Sequence, residues 1–403
     1  MITCMSDGSV VNPNVYLELP SGLDGSEPAS EGTVGIYVHF PFCRSRCSYC
    51  DFDTFAGLED LVDPYLDAAI QQIRMSLQAG GSTLYVGGGT PSLMHPDRAG
   101  ELVEACRERF CLPAEAEVTL EANPGDLGAG RLKGFRLAGF TRLSLGVQSA
   151  DERLLRLLGR RHRCEDARRA LDAAREAGFQ NVGIDLIYGA PLQDETTWMR
   201  TLETVVEWGP EHISCYMLSL ETGTPLERAV ARGDVPPPSD DAAVSMYVAA
   251  CRLLADAGYL RYEISNWARP GFECTHNLVY WRNRPYLGIG AGAAGCWRGR
   301  RYRILGDVRA YLEGVRHGRL PLVEDEAVDV RRSMSDTLIL GLRLDEGVSR
   351  EQFRARYGVM PEATFGDALE WAEGCGLLER TEDRLRLTER GILLSNELFL
   401  RLL

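Results

Sequence analysis

From Val34 to about Leu220, short apolar runs rich in β-branched residues alternate with longer stretches whose apolar positions recur at helical spacing. Val34–Phe40, Thr83–Val86, Glu117–Glu121, Arg142–Val147, Asn181–Tyr188 and His212–Leu220 read as strands, since compact apolar runs bounded by Gly, Pro or Asp favour extended backbone. Pro64–Gln78, Pro96–Phe110, Arg131–Ala138, Cys164–Ala177 and Glu195–Trp208 read as the helices between them. Strand–helix units in series predict an α/β fold with a parallel sheet and right-handed crossovers, either open or curled into part of a barrel. Chemistry in such folds gathers at the C-terminal ends of the strands.

The pattern changes after Pro236-Pro237-Pro238, where a helix over Asp240–Ala257 precedes a stretch rich in Gly and Arg that runs to about Arg303. From about Arg331 a separate module is predicted. It has helices at Arg350–Tyr357 and Glu362–Glu373, a hairpin across Leu377–Leu387 turning at Glu382-Asp383, and a last helix from Ile392. That order is winged-helix-like, α+β. Residues 341–403 carry 9 Arg against 12 acidic residues, which favours packing or partner docking over DNA. The expected division is an extension with little fixed structure at 1–33, a barrel at 34–265, a region closing the barrel and linking onward at 266–330, and the module at 331–403.

Charge narrows the field. Lys and Arg total 44 against 58 Asp and Glu in 403 residues, a formal net charge of −14, which argues against nonspecific binding to nucleic acid or anionic lipid. No Lys or Arg precedes Arg44 and no apolar run is long enough to span a bilayer, so a cytoplasmic protein without a transmembrane segment is expected. Twelve Cys at irregular spacing fit a reducing compartment, where clustered thiols mean metal or redox chemistry.

Three of them cluster. Cys43, Cys47 and Cys50 form a CxxxCxxC loop directly after the first core strand. Structural zinc takes four protein ligands, and no second CxxC occurs downstream. Three thiolates suit a [4Fe–4S] cluster with one iron open to a chelating small molecule; the alternative is a cluster capped by a distant fourth Cys. Gly87-Gly88-Gly89-Thr90-Pro91 follows the second strand, and Glu121, Gln148 and Asp185 stand at the ends of the next three, with Arg160 just beyond the fourth. Polar side chains at corresponding strand ends point into one cavity.

These motifs resemble the radical S-adenosylmethionine (SAM) superfamily, in its oxygen-independent coproporphyrinogen III oxidase-like branch. The resemblance implies a partial (βα)6 TIM-like barrel and a [4Fe–4S] cluster on the three Cys. It also implies a set of SAM contacts, with Tyr37 beside the adenine and Gly88, Gly89, Thr90 and Glu121 near the amino group. Gln148 and Asp185 would lie near the ribose and Arg160 near the carboxylate. One-electron reduction of SAM to methionine and a 5′-deoxyadenosyl radical is the implied chemistry, fed by a donor such as flavodoxin or ferredoxin; a homodimer is among the assemblies the resemblance allows.

Within that branch the oxidase proper carries a fourth Cys two residues after the third, where this chain has Phe52. The departure resembles the heme-chaperone subgroup, which delivers heme to acceptor proteins. His276-Asn277-Leu278-Val279-Tyr280-Trp281 fits that subgroup's HNxxYW pattern, which implies heme binding. Between Cys274 and Arg303 there are no acids, six Arg (Arg282, Arg284, Arg298, Arg300, Arg301, Arg303) and five large aromatics (Tyr280, Trp281, Tyr286, Trp297, Tyr302). Aromatic faces and guanidinium forks suit a flat macrocycle bearing carboxylates, and His276 is the expected axial ligand. The competing expectations are an oxygen-independent coproporphyrinogen III oxidase, an RNA-modifying enzyme that uses the Arg strip, and a solvated loop. Gly288 to Gly295 contains GxGxxG but lacks the flanking strand and helix of a dinucleotide site, and reads as tight backbone beside the SAM pocket. No catalytic side chain is assigned, and the other Cys read as small buried hydrophobes.

Overall fold

The computed structural model describes residues 16–18 and 33–403. One sheet of thirteen strands dominates them. In chain order the strands are β1 (Tyr16–Glu18), β2 (Val34–Phe40), β3 (Gly81–Gly88), β4 (Glu117–Ala122), β5 (Arg142–Gln148), β6 (Asn181–Tyr188) and β7 (His212–Met217). They continue with β8 (Leu260–Glu263), β9 (Asn266–Ala268), β10 (Tyr286–Ile289), β11 (Ala294–Trp297), β12 (Arg300–Ile304) and β13 (Arg319–Ala327). Strands β2 to β7 pair in parallel in sequence order, as the apolar runs predict, and β10 joins the other side of β2, also in parallel. The edge strands β1 and β8 are not neighbours, so the barrel is partial.

Helices α1 (Val62–Met75), α2 (Pro96–Phe110), α3 (Ala129–Leu137), α4 (Glu152–Leu157), α5 (Cys164–Glu176) and α6 (Glu195–Trp208) connect the parallel strands. Ile36, Val38, Leu84, Val86, Leu120, Leu145 and Ile184 lie buried with them in one core. Parallel strands covered on both faces usually read as continuous apolar runs. Here alternate positions are polar or aromatic: Tyr37 and His39, Tyr85, Glu121, Ser144, Asp185 and Ser214 touch one another across the strands. These residues form an interior suited to polar groups.

Strands β8 to β13 were not legible in the sequence, and for β12 and β13 the reason is electrostatic. β12 pairs antiparallel with β13, setting Arg301 opposite Glu326 and Arg303 opposite Glu324. Arg300 bonds to Asp325 at 2.7 Å. Cross-strand charge pairs hold these strands together where an apolar alternation would have announced them. Gly288 lies within β10, so the glycine run is partly strand. Of the expected N-terminal extension, β1 pairs with β13; the rest lies outside the described residues.

The C-terminal module has its own core, including Leu338, Phe353, Phe365, Leu369, Leu385 and Leu398. Helices Val330–Gly341, Arg350–Tyr357 and Pro361–Gly374 surround a three-stranded antiparallel sheet with Arg384–Leu387 central. The predicted last helix is two, Glu389–Leu393 and Ser395–Leu402. Arg261 bonds to Asp345 at 2.8 Å and Arg343 lies 4.6 Å over the Trp281 ring, joining module to barrel. Among the described residues no helix is long and apolar enough to cross a membrane.

Tyr65 of α1 is fully buried and ties three elements together. Its hydroxyl donates to the His39 carbonyl at 2.7 Å and accepts from the Ala291 amide at 3.0 Å. Tyr65→Phe strips both buried backbone groups of their partner, so a loss of about 1–3 kcal/mol is expected, read as a lower urea midpoint with an unchanged slope.

Candidate functional site

Beyond Phe40 the chain leaves β2 and forms the thiol loop, which backbone bonds pin on two sides. Cys43 N donates to Phe55 O at 2.8 Å, and Phe55 N to Pro41 O at 2.7 Å. Farther along, Ser48 N donates to Leu158 O at 3.2 Å, while Ser48 O accepts from Leu226 N at 2.8 Å. Each sulfur has a polar neighbour: Thr90 Oγ1 at 3.5 Å from Cys43 Sγ, Arg160 Nη1 at 3.4 Å from Cys47 Sγ, and Thr54 Oγ1 at 3.9 Å from Cys50 Sγ. Burial pushes the Cys43 and Cys50 thiols up, and the nearby Cys47 thiol adds to both. Among the described residues no group of three His, Cys, Asp or Glu is arranged to hold a single metal ion. A cubane asks something different of its thiolates, since each binds a separate corner iron. Three thiols on one pinned loop, each facing an N–H or O–H donor and with Cys43 and Cys50 raised in part by Cys47, fit such a cluster.

The glycine run packs directly on this loop. Gly89 N donates to Phe40 O and Thr90 N to Phe42 O, both at 2.8 Å. Gly88 has φ +108°, and a Cβ there would sit 2.5 Å from the His39 ring, so only glycine fits. A Cβ on Gly87 would meet the Glu121 carboxyl at 2.9 Å. The bare backbone expected for ligand approach is thus also demanded by neighbouring protein atoms.

Glu121 accepts from Gly88 N at 3.0 Å and from Tyr85 Oη at 2.7 Å. Burial, with a contribution from Asp185, pushes its carboxyl up to about 7 against the opposing Tyr85 bond. Asp185 accepts from Ser214 Oγ at 2.7 Å and Ser144 Oγ at 3.0 Å, and burial raises it too. The Tyr37 hydroxyl donates to His39 Nδ1 at 2.9 Å, and His39 Nε2–H then reaches the Asp53 carbonyl at 3.1 Å, tying the far end of the thiol loop to β2. Arg160 also bonds to Asn123 Oδ1 and the Gly146 carbonyl. Gly146 leaves room for both the Gln148 amide and the Arg160 guanidinium. Tyr37, Gly88, Gly89, Thr90, Glu121, Gln148, Arg160 and Asp185 therefore gather with the three Cys around the C-terminal ends of β2 to β6.

Several residues were missed. Asn123 joins Thr90 Oγ1, at 2.9 Å, to Arg160, while Ser144 and Ser214 sit in register beside Glu121 and Asp185. The period-two alternation along each strand could have found the two serines. Nothing in the pattern singles out Asn123 beyond its place two residues after Glu121.

His276 lies elsewhere. Helix Thr275–Trp281 packs at the opposite end of the barrel, where the parallel strands begin, against Gly35, Thr83 and Glu117. The ring is 1% exposed. Its Nδ1 is bonded to Thr83 Oγ1 at 2.7 Å and its Nε2 to Tyr280 Oη at 2.9 Å. Burial and the Arg142 charge push it down to about 3, so it is neutral, and neither nitrogen is open to a metal in this arrangement. The Arg and aromatic surface is also largely spent within the fold. Arg282 pairs with Glu346, Arg300 with Asp325, Arg301 with Asp336 and Arg303 with Asp53, and Tyr280 packs edge-on to Tyr286 at 4.7 Å. The acid-free window in the sequence meets its acids from β13, the C-terminal module and the thiol loop.

Because Glu121 is raised in the fold, ionising it costs stability as pH climbs from the ordinary carboxyl range towards about 7. Above that pH the cost is constant, about 3 kcal/mol. Glu121→Gln removes the charge, keeps the bond from Gly88 N on its amide oxygen, and turns its NH2 to donate to Tyr85 Oη. Thermal melts of ligand-free protein are expected to show the variant more stable at pH 8, with the gain fading towards pH 5.

Comparison with known proteins places this geometry. A Radical SAM superfamily model matches residues 37–205 and a HemN C-terminal domain model matches 329–394. The chain is 36% identical over 391 residues to a Mycobacterium tuberculosis protein named heme chaperone HemW, covering 95% of this chain and 98% of that one. It is 34% identical to the Bacillus subtilis protein of the same name, covering 90% and 97%. The solved structure of the Escherichia coli coproporphyrinogen III oxidase HemN, described as a radical SAM enzyme, superimposes with a TM-score of 0.80 at 26% identity, covering 92% of this chain and 90% of that one. A thiol loop after the first parallel strand, the partial barrel and near full-length likeness to HemW proteins lead to one assignment: the chain belongs to the radical SAM superfamily and, within it, to the HemW family.

Proposed function

We propose that the protein is a heme carrier on a radical SAM scaffold, holding a [4Fe–4S] cluster on Cys43, Cys47 and Cys50, SAM beside it, and heme destined for acceptor proteins. The observation that carries the reading is Phe52. It stands 40% exposed on the thiol loop, where the oxidase pattern has a fourth Cys, and the relatives named heme chaperones cover nearly the whole chain.

When bound, the cluster supplies a single electron to the sulfonium. The chain's own residues bind and orient. Ionised Glu121 meets an ammonium, which repays the burial of its charge. Arg160 meets a carboxylate by exchanging its bonds to Asn123 and the Gly146 carbonyl. Asp185 and Gln148 take ribose hydroxyls, and the Tyr37 ring, stacked on Tyr85 at 6.2 Å, borders the adenine. Heme ligation by His276 requires the ring to give up Thr83 or Tyr280.

Two measurements test this. Anaerobically reconstituted protein given coproporphyrinogen III, SAM and a reductant should form no vinyl product at a catalytic rate, while heme titration should produce a Soret band; turnover would establish the oxidase instead. Tyr280→Phe frees His276 Nε2 of one hydrogen bond, about 0.5–1.5 kcal/mol, so heme should bind several-fold tighter. His276→Ala should abolish the Soret shift. If neither variant changes the titration, the axial ligand is another residue.

A further inference from the structure

Asn123 is the first residue beyond β4 and opens a short helical turn, Pro124–Asp126. An asparagine at the start of such a turn ordinarily caps it with its side chain, yet Asn123 makes no such bond. Pro124 restricts the residue before it to extended backbone, and Asn123 obliges with φ −92° and ψ 132°. Its carboxamide is turned into the site instead, bonding to Arg160 on one side and to Thr90 Oγ1, at 2.9 Å, on the other.

The protons available decide which end of the amide faces which partner. A guanidinium only donates, so Asn123 Oδ1 faces Arg160 Nη2 and the NH2 faces Thr90. The Thr90 oxygen therefore accepts from Asn123 Nδ2, and its own proton must be given elsewhere. Thr90 is buried, and Cys43 Sγ at 3.5 Å is the acceptor its hydroxyl meets. Arg160 completes the path by donating from Nη1 to Cys47 Sγ at 3.4 Å, while Nη2 also reaches the Gly146 carbonyl. One chain of directed bonds thus runs from Cys47 Sγ through Arg160, Asn123 and Thr90 to Cys43 Sγ. Burial pushes the Cys43 thiol up and the Thr90 bond opposes it, as a donor to the thiolate does.

We propose that Asn123 is a positioning residue for the cluster: by fixing the direction of the Thr90 hydroxyl it keeps a hydrogen bond on the Cys43 sulfur, and so raises the potential at which the cluster accepts an electron. The proposal rests on the reading that Cys43, Cys47 and Cys50 hold a [4Fe–4S] cluster. Hydrogen bonds to ligand sulfurs favour the reduced, more negative state, and bonds chained from a cation polarise one another. Arg160 is also the proposed partner of the SAM carboxylate, so Asn123 joins that seat to Cys43.

The test is a double-mutant cycle on full-length, cluster-reconstituted protein without SAM, read as the midpoint potential in a reductive titration followed by EPR. Thr90→Val deletes the hydroxyl and should make the cluster about tenfold harder to reduce, a fall of about 59 mV. Asn123→Asp offers an acceptor to both neighbours, so the Thr90 proton turns from sulfur to carboxylate and the potential falls by at least as much. In that background Thr90→Val should cause no further fall, because the bond it removes is already gone. Thr90→Ser keeps the hydroxyl and should keep the potential. If Asn123→Asp takes up no cluster, Asn123→Ala replaces it in the cycle: the Thr90 hydroxyl then has no fixed direction, and the effect of Thr90→Val should shrink. Equal falls on Thr90→Val with and without the Asn123 substitution, or no fall in either, would overturn the role of Asn123 alone. Absence of a reduced-cluster EPR signal from the unmodified protein would overturn the cluster reading and the proposal with it.

Discussion

Two carboxylates enclosed within one barrel set the terms for the rest of the structure. Glu121 and Asp185 face the same interior, and burial raises both. Taking such groups out of water is tolerable only when donors surround them, and the strands supply those donors from neighbouring registers: Tyr85 and Gly88 N for one, Ser144 and Ser214 for the other. The interior is therefore a preformed acceptor surface, costly while empty and relieved by a ligand that brings positive charge and hydroxyls.

The same economy of hydrogen bonds orients the thiol loop. It hangs from β2 through Pro41 and Cys43, rests on α4 through Ser48, and is drawn back to the sheet where His39 Nε2–H meets the Asp53 carbonyl. Arg303 of β12 holds the Asp53 side chain at 3.0 Å. Late strands of the chain thus fix a loop formed at its beginning. The barrel's other end is closed differently, by a short helix whose His276 is locked between Thr83 and Tyr280 and stacked on Tyr85 at 5.2 Å. Tyr85 touches Glu121 on one side and His276 on the other, so the two ends share a side chain.

How much of this was legible follows from the kind of force involved. Each of β2 to β7 could be read because its outward residues form an apolar run packed on helices, as Ile36, Leu84, Leu145 and Ile184 do. Their polar inward residues were legible where a charge or amide stands out in an apolar run, as Glu121, Gln148 and Asp185 do, and much less where Ser144 and Ser214 look ordinary. Strands β10 to β13 escaped notice because cross-strand ion pairs and glycine-enabled close packing leave no hydrophobic period. An ion pair such as Arg300 with Asp325 joins positions far apart in sequence.

The amino-acid sequence by itself determined the order of β2 to β7, the three thiols on one loop and the family they signal, because these depend on local periodicity and spacing. Only the tertiary structure decided that His276 sits at the far end of the barrel from the thiols, and that four of the six arginines of the Arg-rich stretch pair with acids from β13, the C-terminal module and the thiol loop. Those outcomes depend on which side chains meet through space, and neither spacing nor composition encodes a contact between residues that only the folded sheet brings together.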